Sequence, residues 1–323
     1  MNTAFDFRKQ TKWLRRNSHV FFIYVFLFIL FFVSSLLNKF FLTARNLTNL
    51  VTTALPYILV SFGQTIVILT GGIDLSAGAV VCVSNVLCAT LMTQSLWGFL
   101  TGFIVAIASG VAIGALNGIL VTKGKIQPII VTLATQTVFL GVALAVLPVP
   151  GGRTNITFAK TMSGKFFGIP MPLLLLIVLT LTMWLLLNKT RFGSSVYAIG
   201  GSEDAAFSTG IMVGKRKTLV YTIAGLLSAL AGIYLSSQMY SGDPTIGVNF
   251  TIHSITTAVV GGTALSGGKG GIIGSIAGVF ILVIINNLLN LINISSFYQY
   301  VLQGIILILA ISIGSIRSGR QLE

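Results

Sequence analysis

The sequence predicts an all-α polytopic membrane protein, a transmembrane helical bundle of about ten spans with both termini cytoplasmic. Residues are 54% hydrophobic and only 8% charged, and that is too little polar surface to cover a water-soluble globule. Mean hydropathy is +0.95, and apolar runs of membrane-crossing length recur along the whole chain. A net charge of +14 would suggest nucleic acid as the partner of a soluble protein. Here the basic residues form short clusters between apolar runs, the distribution that orients a chain in a bilayer. Membrane lipid, with no nucleic acid, is the surrounding this composition implies.

Residues 1–19 form a basic segment with Arg8, Lys9, Lys12, Arg15 and Arg16. The Phe-rich run 20–37 follows without a small-x-small cleavage site, so it reads as a first span rather than a signal peptide. Further spans are predicted at 51–70, 77–94, 98–121, 126–148, 172–187, 218–238, 251–266, 271–290 and 297–314. The spans make one transmembrane domain over 20–316, with a short tail at 317–323. With the N-terminus inside, fifteen of the 20 Lys and Arg fall on the cytoplasmic side, as the positive-inside rule requires. Three of the outside five, Arg153, Lys160 and Lys165, lie in the loop 149–171, which is either a docking surface or a linker. Gly110, Gly114 and Gly118 repeat at i, i+4, i+8, the pattern that lets helices approach closely in lipid. The seam they make lies within one chain or between two subunits. Cys82 and Cys88 sit in one apolar run and read as small lipid- or core-facing residues.

The stretch from Asn188 to Lys217 is the longest polar segment on the cytoplasmic side and carries Glu203 and Asp204, two of the six acidic residues. Ser202 can cap, Glu203 and Asp204 suit a first turn, and Gly210 can stop a helix. A short surface helix over 203–209 is the expectation.

Polar chemistry enters the apolar part at GGIDLSAG, Gly71 to Gly78. Paired Gly71 and Gly72 break a helix, and Asp74 reads as the one acidic residue at the edge of an apolar run, where a carboxylate needs partners. Either the broken helix and Asp74 line a translocation pathway, or Asp74 caps the next helix with help from Ser76. GGTALSGG, Gly261 to Gly268, shares the pattern G-G-x-x-L-S-x-G, which hints at an internal repeat, but both copies fall on the cytoplasmic side and in so glycine-rich a chain coincidence is the expectation. Lys269 follows Gly268, but Gly270 stands where a phosphate loop needs Ser or Thr, so the chain shows no ATP site. Other polar residues inside spans include Gln64, Asn85, Gln136 and Asn286. Uncharged amides and hydroxyls suit a neutral polyhydroxy solute or serve as interhelical glue. His253 has no acidic partner within sequence reach and is assigned no proton role. No nucleophile-base set, metal-ligand cluster or paired-carboxylate site stands out. The expectation is a non-enzymatic chain with no cofactor and no metal.

Four stretches in order, GQTIVILTGGIDLSAGAV (63–80), GALNGILVTKGKIQPIIVTLAT (114–135), TRFGSSVYAIGGSEDAAFSTGI (190–211) and AVVGGTALSGGKGGIIGSIAGVFIL (258–282), resemble the ribose-type monosaccharide permeases of bacterial ATP-binding-cassette importers. The resemblance covers nearly the whole chain. It implies an inner-membrane subunit that pairs with a second permease subunit, as a homodimer or a paralogous heterodimer. A periplasmic sugar-binding protein would feed it and a cytoplasmic ATPase would drive it. The family's coupling segment matches Tyr197 to Ile211, which makes Gly200, Gly201, Ser202, Glu203, Asp204, Ala205, Ala206, Phe207, Gly210 and Ile211 the implied ATPase contacts. Phe207 stands where the family usually has Arg, Ser202 where it has Asn, and Thr251 to Thr256 replaces an E-L-D-A-I-A pattern. A secondary transporter or channel that works without an ATPase is the alternative. It calls for ion-coupling carboxylates in the spans, of which Asp74 alone is available.

Overall fold

The computed structural model describes residues 18–295 and, beyond them, 298, 299, 301, 304, 305 and 308. The basic N-terminal segment, most of the predicted span 297–314 and the tail with Arg317 and Arg320 lie outside the described residues. The described chain is helical: α1 (Ser18–Leu37), α2 (Ala44–Leu69), α3 (Ala77–Leu91), α4 (Leu96–Thr122), α5 (Pro128–Val146), α6 (Ile156–Ser163), α7 (Met171–Lys189), α8 (Arg191–Gly201), α9 (Glu203–Ser208), α10 (Val213–Met239), α11 (Val248–Val260) and α12 (Ile272–Leu291). A two-residue antiparallel hairpin, β1 (Lys165–Phe166) with β2 (Ile169–Pro170), precedes α7. Among the described residues seven helices, α1, α2, α4, α5, α7, α10 and α12, are long and apolar enough to cross a membrane, and α3 and α11 are shorter apolar helices.

Local chemistry sets the boundaries. α2 starts at Ala44, seven residues before the predicted 51, because the Thr43 side chain accepts the Asn46 N–H and draws Arg45, Asn46 and Thr48 into the helix. α10 starts at Val213 rather than 218 and so carries Lys215, Arg216 and Lys217 in its first turns. α11 stops at Val260, well short of the predicted 266, because Gly262 turns the chain with φ 85. GGTALSGG is therefore a loop throughout. The segment 149–171 is no bare linker, since Asn155 caps α6 by accepting the Phe158 N–H and the hairpin follows it.

α2 and α10 form the centre, with Leu55, Phe62, Ile66 and Tyr221 fully buried in one core. Gly110, Gly114 and Gly118 face α10 within the same chain: a Cβ on them would lie 2.5 Å from Gly225 O, 2.3 Å from Tyr221 O and 2.6 Å from Thr218 Cα. Their stripe is thus the α4–α10 seam. Cys82 and Cys88 are both buried in the core.

The packing repeats itself. α10 packs on α3 and α4 as α2 packs on α11 and α12; α3 meets α4 as α11 meets α12; α2 touches α10 and α3 touches α11. The turns that start α3 and α11 share one sequence, Asp-x-Ser/Thr-x-Gly, as Asp74-Leu75-Ser76-Ala77-Gly78 and Asp243-Pro244-Thr245-Ile246-Gly247. In the first turn, Asp74 Oδ1 accepts from Ser76 N at 2.8 Å and from its hydroxyl at 2.6 Å. In the second, Asp243 Oδ1 accepts from Thr245 N and its hydroxyl, both at 2.8 Å. Gly78 and Gly247 then lie against each other's backbone. α3 and α11 cross antiparallel there, since Thr251 meets Leu75 and Gly78 while Asp243 meets Asn85, and the segments leading in have different neighbours: Leu69 O, before the first turn, accepts from Gly268 N at 3.0 Å, whereas Gly242, beside the second, pairs with Gly151 through both N–H groups. This is an inverted repeat. GGTALSGG is not the partner of GGIDLSAG, in keeping with a coincidental likeness, and one reading is corrected: Asp74 is not the one acidic residue at the edge of an apolar run.

The two carboxylates differ in what water can replace. Asp74 is 2% exposed, so Asp74→Ala leaves buried donors unsatisfied and costs about 1–3 kcal/mol. Asp243 is only partly buried, and Asp243→Ala costs less than about 1 kcal/mol because water can take over its donors. Thermal unfolding in detergent checks the ordering, and equal losses would contradict it.

Candidate functional site

At the Asp74 end, α8 and α9 form the polar exposed element. The Thr190 hydroxyl accepts the Gly193 N–H and starts α8, whose Phe192, Val196 and Ile199 are buried. Ser202 ends α8 and caps α9 by accepting the Ala205 N–H at 3.3 Å. Glu203 and Asp204 occupy the first turn of α9, where their charge suits the helix dipole. Gly210, with φ 84, closes the unit, and Ile211 N returns to Ala206 O at 3.1 Å. The helix expected over 203–209 is thus present as Glu203–Ser208. Ala206 is buried beneath it, while Phe207 is 73% exposed and Met212 is exposed beside it. Glu203 is tied inside the chain to Lys217 of α10, so of the two first-turn carboxylates only Asp204 has no ion pair among the described residues.

The C-terminal end of α8, just before Ser202, is wedged into the bundle. A Cβ on Gly200 would lie 1.9 Å from Leu69 O and 2.4 Å from Gly268 N. Tyr197 donates its hydroxyl to Gly270 O at 3.0 Å. Three backbone segments, the end of α2, the end of α8 and the loop before α12, therefore meet in one junction. Gly201 has open space beside it.

Next to the junction, GGIDLSAG is held from four helices. With its amide turned to satisfy both groups, Gln64 of α2 donates to Asp74 O at 3.0 Å and accepts from Asp74 N at 3.3 Å. Asn117 of α4 donates to the Ser76 hydroxyl at 2.7 Å. The Thr132 hydroxyl of α5 lies 3.2 Å from Ile73 O. The Thr251 hydroxyl of α11 donates to Leu75 O and accepts from Gly78 N, each at 3.1 Å. Gly71 supplies the turn with φ 77, and Gly72 abuts the Tyr221 hydroxyl.

Residues 46–311 match the family described as branched-chain amino acid transport system / permease component. The chain is 44% identical over 288 residues to the ribose import permease protein RbsC of Bacillus subtilis (strain 168), a match covering 88% of this chain and 89% of that one. It is 36% identical over 290 residues to RbsC of Escherichia coli (strain K12), covering 88% and 90%. With the D-allose transport system permease protein AlsC of the same strain it shares 33% identity over 280 residues, 86% of each chain. No solved structure matches the chain.

The chain belongs to this permease family. Within the permease, the predicted pathway residues do not form one site. Gln64, Gly71, Gly72, Asp74 and Ser76 gather at the junction end. Asn85 lies in the middle of α3, donating to Gly232 O at 3.2 Å and accepting from Asp243 N at 2.8 Å. Gln136 is half-buried on α5, and Asn286 is half-buried towards the end of α12. Three residues that hold the Asp74 turn, Asn117, Thr132 and Thr251, were legible only as polar residues in apolar runs, because the contacts that employ them span 41 residues or more. His253 packs edge-on against Tyr57, ring centroids 5.2 Å apart. Among the described residues no group of three or more His, Cys, Asp or Glu is placed to hold a metal ion.

Proposed function

We propose that the permease is the membrane subunit of a binding-protein-dependent ATP-binding-cassette importer that carries a ribose-like monosaccharide across the bacterial inner membrane. The observation that carries this reading is the 44% identity to a ribose import permease along nearly the full length of both chains. The exposed Phe207 on α9 adds to it, since a large apolar side chain on a polar surface helix calls for a partner. The chain crosses the membrane ten times with both termini cytoplasmic, the tenth crossing being the predicted span 297–314. α8 and α9 then face the cytoplasm, and α6 with the hairpin faces the periplasm, where a sugar-binding protein docks.

In this reading a cytoplasmic ATPase grips α9 through Phe207, Ile211 and Met212, with Gly210 setting the turn and Asp204 at the rim. ATP-driven closure of the ATPases displaces α8. Because Gly200 is wedged between Leu69 and Gly268, that displacement acts on both halves of the inverted repeat together. The Asp74 turn locks α3 to α2, α4, α5 and α11 so that they respond as one body, and a second permease subunit completes the route. The chain needs only a weakly polar path with alternating access, not a tight sugar site. A secondary transporter is disfavoured, because its coupling carboxylate would have to be Asp74 or Asp243, and each already accepts two hydrogen bonds within its own turn.

The test is purification of the tagged chain from native membranes with mass spectrometry of what accompanies it, followed by reconstitution. The expected result is an ATPase and a sugar-binding protein in the eluate and sugar uptake that requires ATP. Isolation of this chain alone, with uptake in liposomes lacking ATP, would refute the importer reading.

A further inference from the structure

A cavity of about 430 Å³ lies beside α9, bounded by Thr122, Lys125, Gln127 and Pro128 from the α4–α5 connection and by Glu203 and Lys217 across it. That size is within the range of small-ligand sites. Lys125 has a left-handed backbone, φ 53, uncommon for a residue with a side chain. Its ammonium has no hydrogen-bond or ion-pair partner among the described residues. Lys217 is only 9% exposed and is balanced by Glu203, which is itself exposed. Lys123, Lys215 and Arg216 each follow a cavity-lining residue by one or two positions in the sequence, and Asp204 follows Glu203, so the segments that build the cavity carry an excess of cations.

We infer that this cavity holds the phosphate of an anionic phospholipid headgroup, clasped between Lys125 and Lys217. A lipid, rather than a soluble anion, is the occupant because exposed apolar side chains adjoin the charged lining. Ile126 lines it, and Ile129, Ile130 and Leu133 continue along α5 as exposed apolar side chains. This α5 surface offers acyl chains an apolar track beside the phosphate, and a basic pocket between spans at a membrane surface is a headgroup site. The phosphate competes with Glu203 for Lys217. Its binding loosens the tie between α9 and α10, so the lipid composition tunes how α9 is presented. That last consequence, and the placement in the inner leaflet, rest on the importer reading; the binding itself does not.

A diffuse surface charge and a built site predict different responses. Lys123 and Lys125 lie in the same short connection, but of the two only Lys125 lines the cavity. The full-length protein in detergent is mixed with phosphatidylglycerol or phosphatidylcholine of identical acyl chains, and retained lipid is read by native mass spectrometry. Wild type retains phosphatidylglycerol about tenfold over phosphatidylcholine. Lys125→Glu and the milder Lys125→Met abolish the preference, Lys123→Glu keeps it, and millimolar inorganic phosphate does not displace the lipid. Thermal unfolding of each variant confirms that it is folded. The proposal is overturned by equal losses in Lys123→Glu and Lys125→Met, by no preference in wild type, or by displacement with inorganic phosphate, which would assign the cavity to a soluble anion. None of these readouts involves an ATPase, so failure here leaves the importer reading standing.

Discussion

Phe207→Asp combined with Ile211→Asp abolishes ATP-dependent uptake and releases the ATPase from the purified complex. Phe207 projects from a six-residue helix with 73% of its surface exposed, and Ile211 is half-buried at the turn that closes the unit. As apolar anchors seated in a partner's groove, each accounts for about 2 kcal/mol or more. Losing both weakens association by roughly a thousandfold, and the buried carboxylates add a desolvation cost. The rim charge Asp204 behaves differently. Asp204→Ala changes the salt dependence of association far more than its strength. Because the Ile211 side chain is half-buried at that turn, a carboxylate there also perturbs α9 itself; Phe207→Asp alone avoids this and still costs about tenfold or more. Uptake and ATPase co-purification in the single and double variants at wild-type levels would remove α9 as the coupling element.

α9 was legible because everything that makes it is local. Ser202, Glu203, Asp204 and Gly210 lie within nine residues, and capping is decided at that range. The inverted repeat was not legible from its glycines. GGTALSGG shares five of its eight letters with GGIDLSAG, yet it forms the other wall of the Gly200 junction, where Gly267 and Gly268 take positive φ for close backbone contact. The working half of the pattern is Asp-x-Ser/Thr-x-Gly, in which the carboxylate and hydroxyl start a helix and the glycine permits the crossing. Asp243 carried that signal at the start of α11, but Pro244 and Ile246 replace Leu75 and Ala77, so the likeness rests on side-chain roles. α6 escaped notice because an eight-residue helix with Thr157, Lys160 and Thr161 has little apolar period to read. The partners of Asp74 escaped for another reason: a buried carboxylate demands donors, but sequence does not say which distant helix brings them.

Gly247→Val is expected to leave little folded permease, and the reason is contact rather than backbone conformation. Gly247 has φ −81, which any residue adopts. A Cβ there, however, would stand 2.1 Å from Gly78 O and 2.9 Å from both Cys82 Sγ and Val81 Cβ. In the other direction, a Cβ on Gly78 would stand 2.4 Å from Gly247 O. The nearest obstacles are carbonyl oxygens of the facing element, so no side-chain rotamer relieves the overlap and the start of α11 must move away from α3. That movement also pulls the Thr251 hydroxyl from Gly78 N and Leu75 O. Overpacking of this kind costs about 3 kcal/mol or more, and both halves of the inverted repeat share the contact. Gly141→Ala is the matched comparison. Gly141 lies in α5 with nothing within 4 Å of its added Cβ, and the better helix former there gains up to about 1 kcal/mol. Monodisperse yield and thermal unfolding in detergent should therefore fall sharply for Gly247→Val and hold or rise for Gly141→Ala. If Gly247→Val unfolds with the wild type, α3 and α11 do not cross at Gly78, and the inverted repeat loses its central contact.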